Sequence, residues 1–463
     1  MINYILYNNG FIWMLFHVLL GIASTFTSGF MIFWFYFFIL TSFNTIFSDL
    51  FLRNRIQKFI PFLVYICSFE VFGRMLKAYP YIPWEVSKYL MISSFIILLL
   101  INKIKTPSRI GLLIILLLIP GVLIDLSSQV NLELLINNLF GITSLALLLI
   151  IIKDYSIAKQ DFDSILRLLW YSTIPTLIYV IIRTPELALL NFTLNANFEA
   201  TAGFGSNQVA SILGIGMFLS FYAWMNKHLF SGNHSLDGLF IGLFAYQGFL
   251  TFSRGGMVVV LIAIVVYYIL FRSSNFYLDI IKIRKLRPFF FFASAIIIIF
   301  STFLFIQNIS DGNITKRYSG DTSATLSGAK IKTINTITTG RYGLFIEDLN
   351  LWYKNFIFGT GVGASKFLRG NGLNGISPHT EISRLLAEHG IFGLIIILLM
   401  LGLVYRSYHI NKSSAYRGIL VCLGLIAIGT AMHSAMRTFI TPIFFCLSTM
   451  RIIEDDIDED LII

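Results

Sequence analysis

The residues best suited to chemistry are two arginines and a histidine in polar stretches of a mostly apolar chain: Arg254, Arg341 and His379. Arginine presents a planar fork of N–H donors that binds phosphate oxygens in pairs. His379 follows Ser377 and Pro378, which are typical of the first residues of a helix, and a helix N-terminus attracts anions. The three side chains together would suit a pyrophosphate, with the imidazole either binding a phosphate or accepting a proton.

Each of these three side chains also has a structural interpretation that the sequence leaves open. Arg254 stands between two apolar runs, where an arginine commonly extends to the membrane surface, although charge at membrane depth usually marks a site. Gly255 and Gly256 after it leave backbone room for a ligand. Arg341 alone could contact a lipid headgroup, and His379 could be a surface residue beside a helix cap.

Two further polar residues are candidates with alternative interpretations. Glu388 shares one helix face with Glu381 and Arg384, which is typical of surface ion pairs. Because Glu388 is close to the next apolar run, it could instead be a general base or hold an arginine. Asn207 precedes another apolar run, and its position predicts a helix cap.

Composition indicates a polytopic membrane protein built of helices. The 463 residues are 56% hydrophobic and only 13% charged, against about 25% charged in soluble domains. The basic residues behind the net charge of +10 are scattered between apolar runs, as membrane insertion requires, so nucleic acid is not an expected partner. The three cysteines lie in apolar runs with no metal-ligand spacing, so we predict neither a disulfide framework nor a zinc site. We also expect no cofactor and no bound metal.

We predict an all-α fold of about fourteen membrane spans that forms one membrane domain over residues 1–463, with residues 307–390 as a large loop outside the cytoplasm. Apolar runs near the ~20 residues needed to cross a bilayer define the spans. Their predicted limits are 5–23, 29–49, 59–76, 89–102, 109–125, 136–152, 165–182, 207–225, 237–252, 256–271, 289–306, 391–405, 416–432 and 438–450.

The distribution of lysine and arginine predicts which loops face the cytoplasm. Loops such as 53–58, 103–109, 153–167, 272–287 and 406–417 are rich in basic residues and should be cytoplasmic. Both termini then lie inside, and the 307–390 loop lies outside. Within that loop, residues 309–337 should be irregular, whereas an amphipathic helix should begin at Arg341. Its apolar stripe is predicted to comprise Phe345, Leu349, Trp352 and Phe356.

Three motifs occur in order around this loop and together resemble a known family. They are Ser253-Arg254-Gly255-Gly256, then Gly340-Arg341 followed by Phe358-Gly359-Thr360-Gly361-Val362-Gly363, then Pro378-His379-Thr380-Glu381 followed by Ala387-Glu388-His389-Gly390. This set resembles the O-antigen polymerase (Wzy-type) and ligase family of bacterial polysaccharide assembly. The resemblance covers about residues 203–393 and includes Asn207. Thr380 departs from the asparagine that the family often has beside its histidine.

The resemblance implies a glycosyltransferase similar to the GT-C type, which sits in the bacterial inner membrane and acts on its outer face without a metal or nucleotide sugar. The implied donor is a glycan on undecaprenyl pyrophosphate. Arg254, Arg341 and His379 would form the catalytic site, and Asn207 and Glu388 would join the arginines in binding substrate. Expected partners are the lipid-linked oligosaccharide, membrane lipids and, as a candidate, a chain-length regulator protein.

The sequence leaves the exact reaction open among three possibilities. The count of about fourteen spans favours a polymerase, which moves the growing glycan onto the next lipid-linked repeat unit. The first alternative is a ligase that transfers the glycan to lipid A-core. The second is a flippase for lipid-linked oligosaccharides, but transporters usually show internal repeats and charged, broken helices at mid-membrane, which are not evident here.

Overall fold

Helices dominate the computed structural model of the protein, which describes residues 9–49, 51–101, 108–275, 286–411 and 416–453. The helices in chain order are α1 (Gly10–Phe26), α2 (Gly29–Phe47), α3 (Leu52–Met75), α4 (Val86–Ile101), α5 (Arg109–Leu123), α6 (Leu132–Ile152), α7 (Lys159–Arg183), α8 (Ser206–Asn226), α9 (His234–Leu250), α10 (Arg254–Asn275), α11 (Leu286–Ile309), α12 (Asn313–Ser319), α13 (Ser323–Leu326), α14 (Ile334–Ile337), α15 (Arg341–Lys354), α16 (Ser365–Leu368), α17 (Glu381–Ile410), α18 (Arg417–Ser434) and α19 (Ile440–Ser448). Two short strands, β1 (Ser156–Ala158) and β2 (Arg451–Ile453), complete the fold.

The predicted all-α, polytopic membrane class is confirmed. Each of the fourteen predicted spans falls on one helix, namely α1–α11 and α17–α19. Among the described residues, nine helices are long and apolar enough to cross a membrane, and α1, α4 and α5 are shorter apolar helices. Helices suit a bilayer because they satisfy every backbone N–H and C=O internally.

The helices differ in how far the rest of the protein covers them. The apolar windows of α3 and α8 are each 89% buried, so these two helices form the centre of the bundle. The window of α11 is only 17% buried, which places α11 at the periphery with most of its apolar surface facing outward. A peripheral helix that is apolar all round is stable where its outer face meets lipid.

The two ends of the bundle are marked by different features. At one end β1 pairs in parallel with β2, with Ser156 opposite Arg451, so the loop after α6 lies beside the last described residues. The topology prediction requires these two segments to lie on the same side of the membrane. At the other end the loop between α7 and α8 packs near the start of α10, since Asn197 N donates a hydrogen bond to Thr251 O at 2.9 Å. Both termini lie outside the described residues.

The first part of the large loop is more ordered than predicted. Three short helices, α12, α13 and α14, occupy the stretch 309–337 that was predicted to be irregular. Thr322 and Thr333 begin α13 and α14 by accepting the N–H groups of Thr325 and Thr336, respectively. Such a reciprocal cap satisfies N–H groups that have no partner inside the helix, and this threonine spacing is the sequence signal that was missed.

The predicted amphipathic helix is confirmed as α15, which begins at Arg341, but its buried face differs from the prediction. The buried positions are Leu344, Asp348 and Leu351. The predicted stripe is less covered, since Phe345, Leu349 and Trp352 are half-buried and Phe356 is 46% exposed. The buried face is turned by one position because Asp348, a carboxylate, points inward to bind a buried arginine.

Candidate functional site

Arg254 is the first residue of α10, and the start of α8 holds the turn that precedes it. Ser253 Oγ donates a hydrogen bond to Asn207 Oδ1 at 2.7 Å. Helix α8 begins at Ser206 with Gly205 as its N-cap, so the prediction that Asn207 caps this helix is wrong. The Asn207 side chain instead fixes the turn that carries Arg254, while its contact with substrate stays a prediction.

The two glycines after Arg254 serve helix packing. A Cβ at Gly255 would lie 2.8 Å from the ring of His433, and one at Gly256 would lie 2.7 Å from the backbone of Ala210. The interpretation that these glycines leave room for a ligand is therefore wrong, because α8 and α18 occupy that room. Glycine permits this close approach since it has no side chain.

His433 in α18 is a site-facing residue that sequence reasoning missed. Its Nδ1 donates to Gly429 O at 2.8 Å, and its Nε2 lies 3.1 Å from Ser211 Oγ. The ring thus joins α18 to α8 directly beside the start of α10. A histidine inside an apolar run is unusual, and that placement is the sequence signal that could have identified it.

Three arginines from separate elements, Arg254 of α10, Arg317 of α12 and Arg341 of α15, come close enough to repel one another. Burial, followed by the positive charges of Arg254 and Arg341, lowers the pKa of Arg317 to about 10. Burial, with Arg254 and Arg437 adding repulsion, also lowers the pKa of Arg341. Arg317 and Arg437 were not predicted site residues. We call these four arginines the arginine cluster.

His379 lies beside the arginine cluster but not in the first turn of a helix. Helix α17 begins at Glu381 with Thr380 as its N-cap, so the predicted start at Ser377 and Pro378 is wrong. The carbonyl groups of this stretch are used elsewhere. Arg437 Nη2 donates to Pro378 O at 2.7 Å, and Arg369 Nη1 donates to Ile376 O at 2.6 Å. Thr380 has extended backbone angles, φ −119° and ψ 129°, so the helix does not continue back through it.

The surroundings of His379 keep its imidazole neutral at pH 7. Burial lowers the pKa of His379 to about 4, and the positive charges of Arg437, Arg341 and Arg369 contribute to the same shift. A neutral imidazole has one nitrogen that accepts a proton and one that donates a hydrogen bond. An anion bound among the arginines would offset these charges and raise the pKa again.

A buried ion pair holds the loop of His379 against α15. Arg369 Nε donates to Asp348 Oδ1 at 2.7 Å, and both side chains are almost fully buried. Asp348 Oδ2 also accepts a hydrogen bond from Ser383 Oγ at 2.7 Å, which ties α15 to α17. Because Asp348 connects both elements, it sets the distance between the start of α15, which carries Arg341, and the loop of His379.

Glu381, Arg384 and Glu388 form an ion triad in the interior, so their interpretation as surface ion pairs is wrong. Arg384 pairs with Glu381, and its Nη1 lies 3.1 Å from Glu388 Oε2. Each of the three side chains is at most 5% exposed. Ser365 Oγ donates to Glu388 Oε1 at 2.8 Å. The carboxylate of Glu388 thus holds an arginine, one of its predicted alternatives, and its contact with substrate stays a prediction.

The glycine run Gly359 to Gly363 packs on the first half of α17. Thr360 N donates to Ala387 O at 2.8 Å, and Val362 N donates to Gly121 O at the end of α5 at 2.9 Å. Gly361 has a φ of 97° and approaches so closely that a Cβ would lie 1.9 Å from Ile124 O. Gly390 breaks α17 with a φ of 61°, which makes room for this segment beside the helix.

The arginine cluster carries positive charge that acidic side chains do not balance. Within the described part of the chain, Arg254, Arg317 and Arg341 make no ion pair or side-chain hydrogen bond. The Nε of Arg317 is buried without a partner. Burying unpaired charge is costly, so the arrangement is suited to an anion that would complete it. The described residues contain no group of three or more His, Cys, Asp or Glu side chains placed to hold a metal ion.

Comparison with known proteins bears on this site. Residues 239–398, from α9 into α17, match the family model described as O-antigen ligase. The match includes Arg254, Arg317, Arg341 and His379, and it confirms the resemblance to the O-antigen polymerase and ligase family. Members of this family are glycosyltransferase-like enzymes. No curated protein matches the chain.

Proposed function

We propose that this protein is a membrane glycosyltransferase that moves a glycan from undecaprenyl pyrophosphate to a sugar hydroxyl of the next lipid-linked repeat unit. The observation that carries the proposal is the arginine cluster, in which Arg254, Arg317 and Arg341 lack acidic partners among the described residues and which lies beside a neutral histidine. A soluble or purely structural role does not account for three unpaired arginines that repel one another at one end of a helical bundle.

A pyrophosphate fits this cluster better than a single carboxylate or sulfate. Its two phosphates carry several negative charges and present oxygens over a length that separate guanidinium groups can share. Arg254, Arg317 and Arg341 come from three elements, so an anion among them would be held jointly by α10, α12 and α15. Each guanidinium can bind two oxygens at once, which orients the leaving group as well as neutralising it.

In the proposed reaction, the acceptor hydroxyl oxygen attacks the anomeric carbon of the donor glycan. The bond from that carbon to the pyrophosphate oxygen breaks, and its electron pair leaves with the lipid pyrophosphate. The proton of the hydroxyl must go to a base. The arginines stabilise charge that grows on the leaving group, and removing one such preorganised donor typically costs about 10²–10³ in rate.

His379 has two proposed roles that its neutral state allows. As a general base it would take the proton of the acceptor hydroxyl, which is typically worth about 10²–10⁴ in rate. As a phosphate ligand it would donate a hydrogen bond to the pyrophosphate. The roles differ in pH dependence, since the general base must be unprotonated before each transfer, whereas a phosphate ligand can donate an N–H hydrogen bond whether the ring is neutral or protonated.

The proposed location is the bacterial inner membrane, with the site on the outer face. The arginine cluster, the large loop and α15 share one end of the bundle, whereas β1 and β2 lie at the other, where the basic loop after α6 is predicted to be cytoplasmic. An outer site would receive the lipid-linked glycan after its export. The arginines supply the charge that a metal supplies in other transferases, which supports metal-independent transfer.

The alternative acceptor is lipid A-core, and the match to the family model described as O-antigen ligase is compatible with either acceptor. Gel analysis of the surface glycan of a deletion strain separates the two reactions. Single repeat units on lipid A-core would indicate a polymerase. Long chains that remain unattached would indicate a ligase.

The proposed function is tested by transfer between purified lipid-linked repeat units with purified protein and chelator present. Arg254→Lys and Arg341→Lys keep the charge but lose the planar fork, and a charged hydrogen bond is worth about 1.5–3 kcal/mol. We expect each variant to be roughly ten- to a hundredfold slower. Arg109→Lys, exposed at the other end of the bundle, is the control and should keep the wild-type rate.

Wild-type rates in both cluster variants would contradict the pyrophosphate site. Loss of wild-type activity on adding chelator would contradict metal-independent transfer while leaving the arginine assignment in place.

A further inference from the structure

A cavity of about 860 Å³ opens beside the arginine cluster and shares one residue, Arg437, with it. Arg437, Pro378 and Ser377 form one wall, so the cavity lies directly next to His379. The opposite walls come from the loop before α4 and from the first turns of α6. The volume lies within the ~300–1,000 Å³ typical of small-molecule sites.

The cavity differs from the arginine cluster in its charge. Its lining contains four acidic and four basic side chains, which balance: Glu85, Glu133, Glu381, Glu388, Lys88, Lys366, Arg384 and Arg437. Most of these charges are paired, as in the ion triad and in the contact of Lys88 with Glu85. A balanced lining does not favour an anion, so it suits an uncharged ligand rich in hydroxyl groups.

Polar and aromatic side chains in the cavity remain available to such a ligand. Glu133, Asn137 and Ser377 are exposed, and their side chains make no hydrogen bond within the described ranges of the chain. Trp84 is 64% exposed, and Tyr89, which also lines the cavity, is 48% exposed. Aromatic faces pack on the C–H faces of sugar rings, while carboxylate, amide and hydroxyl groups bind sugar hydroxyls.

Buried ion pairs make the Trp84 wall rigid and connect it to the cluster. Arg74 Nε donates to Trp84 O at 2.7 Å, and Arg74 also pairs with Glu70 and Glu85. Lys88 Nζ donates to Arg437 O at 3.2 Å. The position of Trp84 is thus linked to the backbone of Arg437.

We propose that this cavity binds the acceptor glycan, with Trp84 and Tyr89 against its sugar rings and Glu133, Asn137 and Ser377 on its hydroxyls. The inference rests on the proposed transferase function, for which it names the second substrate site. A glycan in the cavity would extend along Pro378 and Arg437 and present one hydroxyl oxygen to the anomeric carbon of the donor. Donor and acceptor are then sorted by charge: the pyrophosphate goes to the unpaired Arg254, Arg317 and Arg341, and the neutral sugars go to the cavity, whose lining charges balance.

The test measures the transfer rate while the concentration of the acceptor is varied. The acceptor carries one repeat unit on a short lipid, and the donor, a lipid-linked polymer chain, is kept at a saturating concentration. We expect Trp84→Ala and Asn137→Ala each to raise the acceptor KM about two- to tenfold, the worth of one contact, with kcat and the donor KM unchanged. Tyr81→Ala is the matched control, since Tyr81 is in the same loop and 65% exposed but does not line the cavity. Unchanged acceptor KM in both variants, with full activity, would overturn the proposal.

Binding of the free repeat-unit oligosaccharide, measured by calorimetry, separates this proposal from the proposed function. Weaker binding in Trp84→Ala and Asn137→Ala than in Tyr81→Ala would support the sugar site even for a protein that showed no transfer. Failure of the wild-type protein to transfer glycan would then count against the transferase function alone. Equal binding by the wild-type protein and both cavity variants would overturn the sugar site whether or not transfer occurs.

Discussion

Replacing Arg317 by methionine should lower activity and raise stability together. Arg317 is only 9% exposed, makes no ion pair among the described residues, and lies beside Arg254 and Arg341. Methionine has a similar length and fills the space without a charge. The variant loses a proposed pyrophosphate ligand, so transfer should fall roughly ten- to a hundredfold, as for the loss of one charged hydrogen bond.

The size of the stability gain follows from the pKa of Arg317. Its fall from 12.5 to about 10 is equivalent to about 3 kcal/mol, since one pKa unit is about 1.4 kcal/mol. The stability change is a gain because the pKa of Arg317 is lower in the folded protein, which means that folding disfavours the protonated side chain. At pH 7 the side chain is protonated both folded and unfolded, and the folded protein carries the whole penalty. Methionine removes it, so the gain should be at most about 3 kcal/mol.

Arg369→Met is the matched control because it makes the same change at another buried arginine. Arg369 is paired with Asp348 at 2.7 Å, and both are almost fully buried. Removing one partner of a buried ion pair typically destabilises a protein by about 3–5 kcal/mol. The two substitutions should therefore shift stability in opposite directions.

The assay is the thermal unfolding midpoint of each purified protein, with and without inorganic pyrophosphate. Pyrophosphate should raise the midpoint of the wild-type protein, because it binds only the folded state, and should raise that of Arg317→Met much less. A midpoint for Arg317→Met as low as that of Arg369→Met would refute the reasoning. It would mean that the charge of Arg317 is already compensated inside the protein.

Further predictions concern His379, Glu388 and the membrane topology. His379→Ala should abolish polymer at an unchanged protein level, and inorganic pyrophosphate should raise the pKa of His379 above about 4, measured by NMR of histidine-labelled protein. An unmoved His379 signal would contradict its place in the anion site. Glu388→Ala should break the ion triad and lower the free energy of unfolding by about 3–5 kcal/mol, seen as a lower unfolding midpoint, without changing the donor KM. A raised donor KM would instead make Glu388 a substrate ligand. A periplasm-specific reporter should be active at Asn313 and inactive at Ile463, and activity at Ile463 would overturn the topology.

Sequence alone was sufficient for the helical membrane class, and it singled out three residues that the structure places at one candidate site. Apolar runs near the bilayer thickness leave the backbone few alternatives to helix, so each predicted span falls on a helix. Arg254, Arg341 and His379 stood out because charged residues are rare in such a chain.

Long-range packing decided several features that local patterns could not. Ser377 and Pro378 are good helix-start residues, yet α17 begins at Glu381, after the extended Thr380. Long-range contacts hold the preceding stretch instead, since Arg369 and Arg437 donate to the carbonyls of Ile376 and Pro378. Arg369 is 7 residues from Ile376 and Arg437 is 59 residues from Pro378. A rule based on the residues next to a helix start therefore cannot predict these contacts.

Local sequence patterns also do not show which charged residues are buried or which of them lie close together. The spacing of Glu381, Arg384 and Glu388 defines one helix face but does not say whether that face meets water or protein. Arg317 carries no local signal in a polar segment, and it became a candidate only when α12 placed it beside Arg254 and Arg341. The amino-acid sequence determined which segments are helical and which residues carry charge. Only the tertiary structure decided which charges meet, because the energy of a charge depends on the neighbours and the solvent that folding leaves around it.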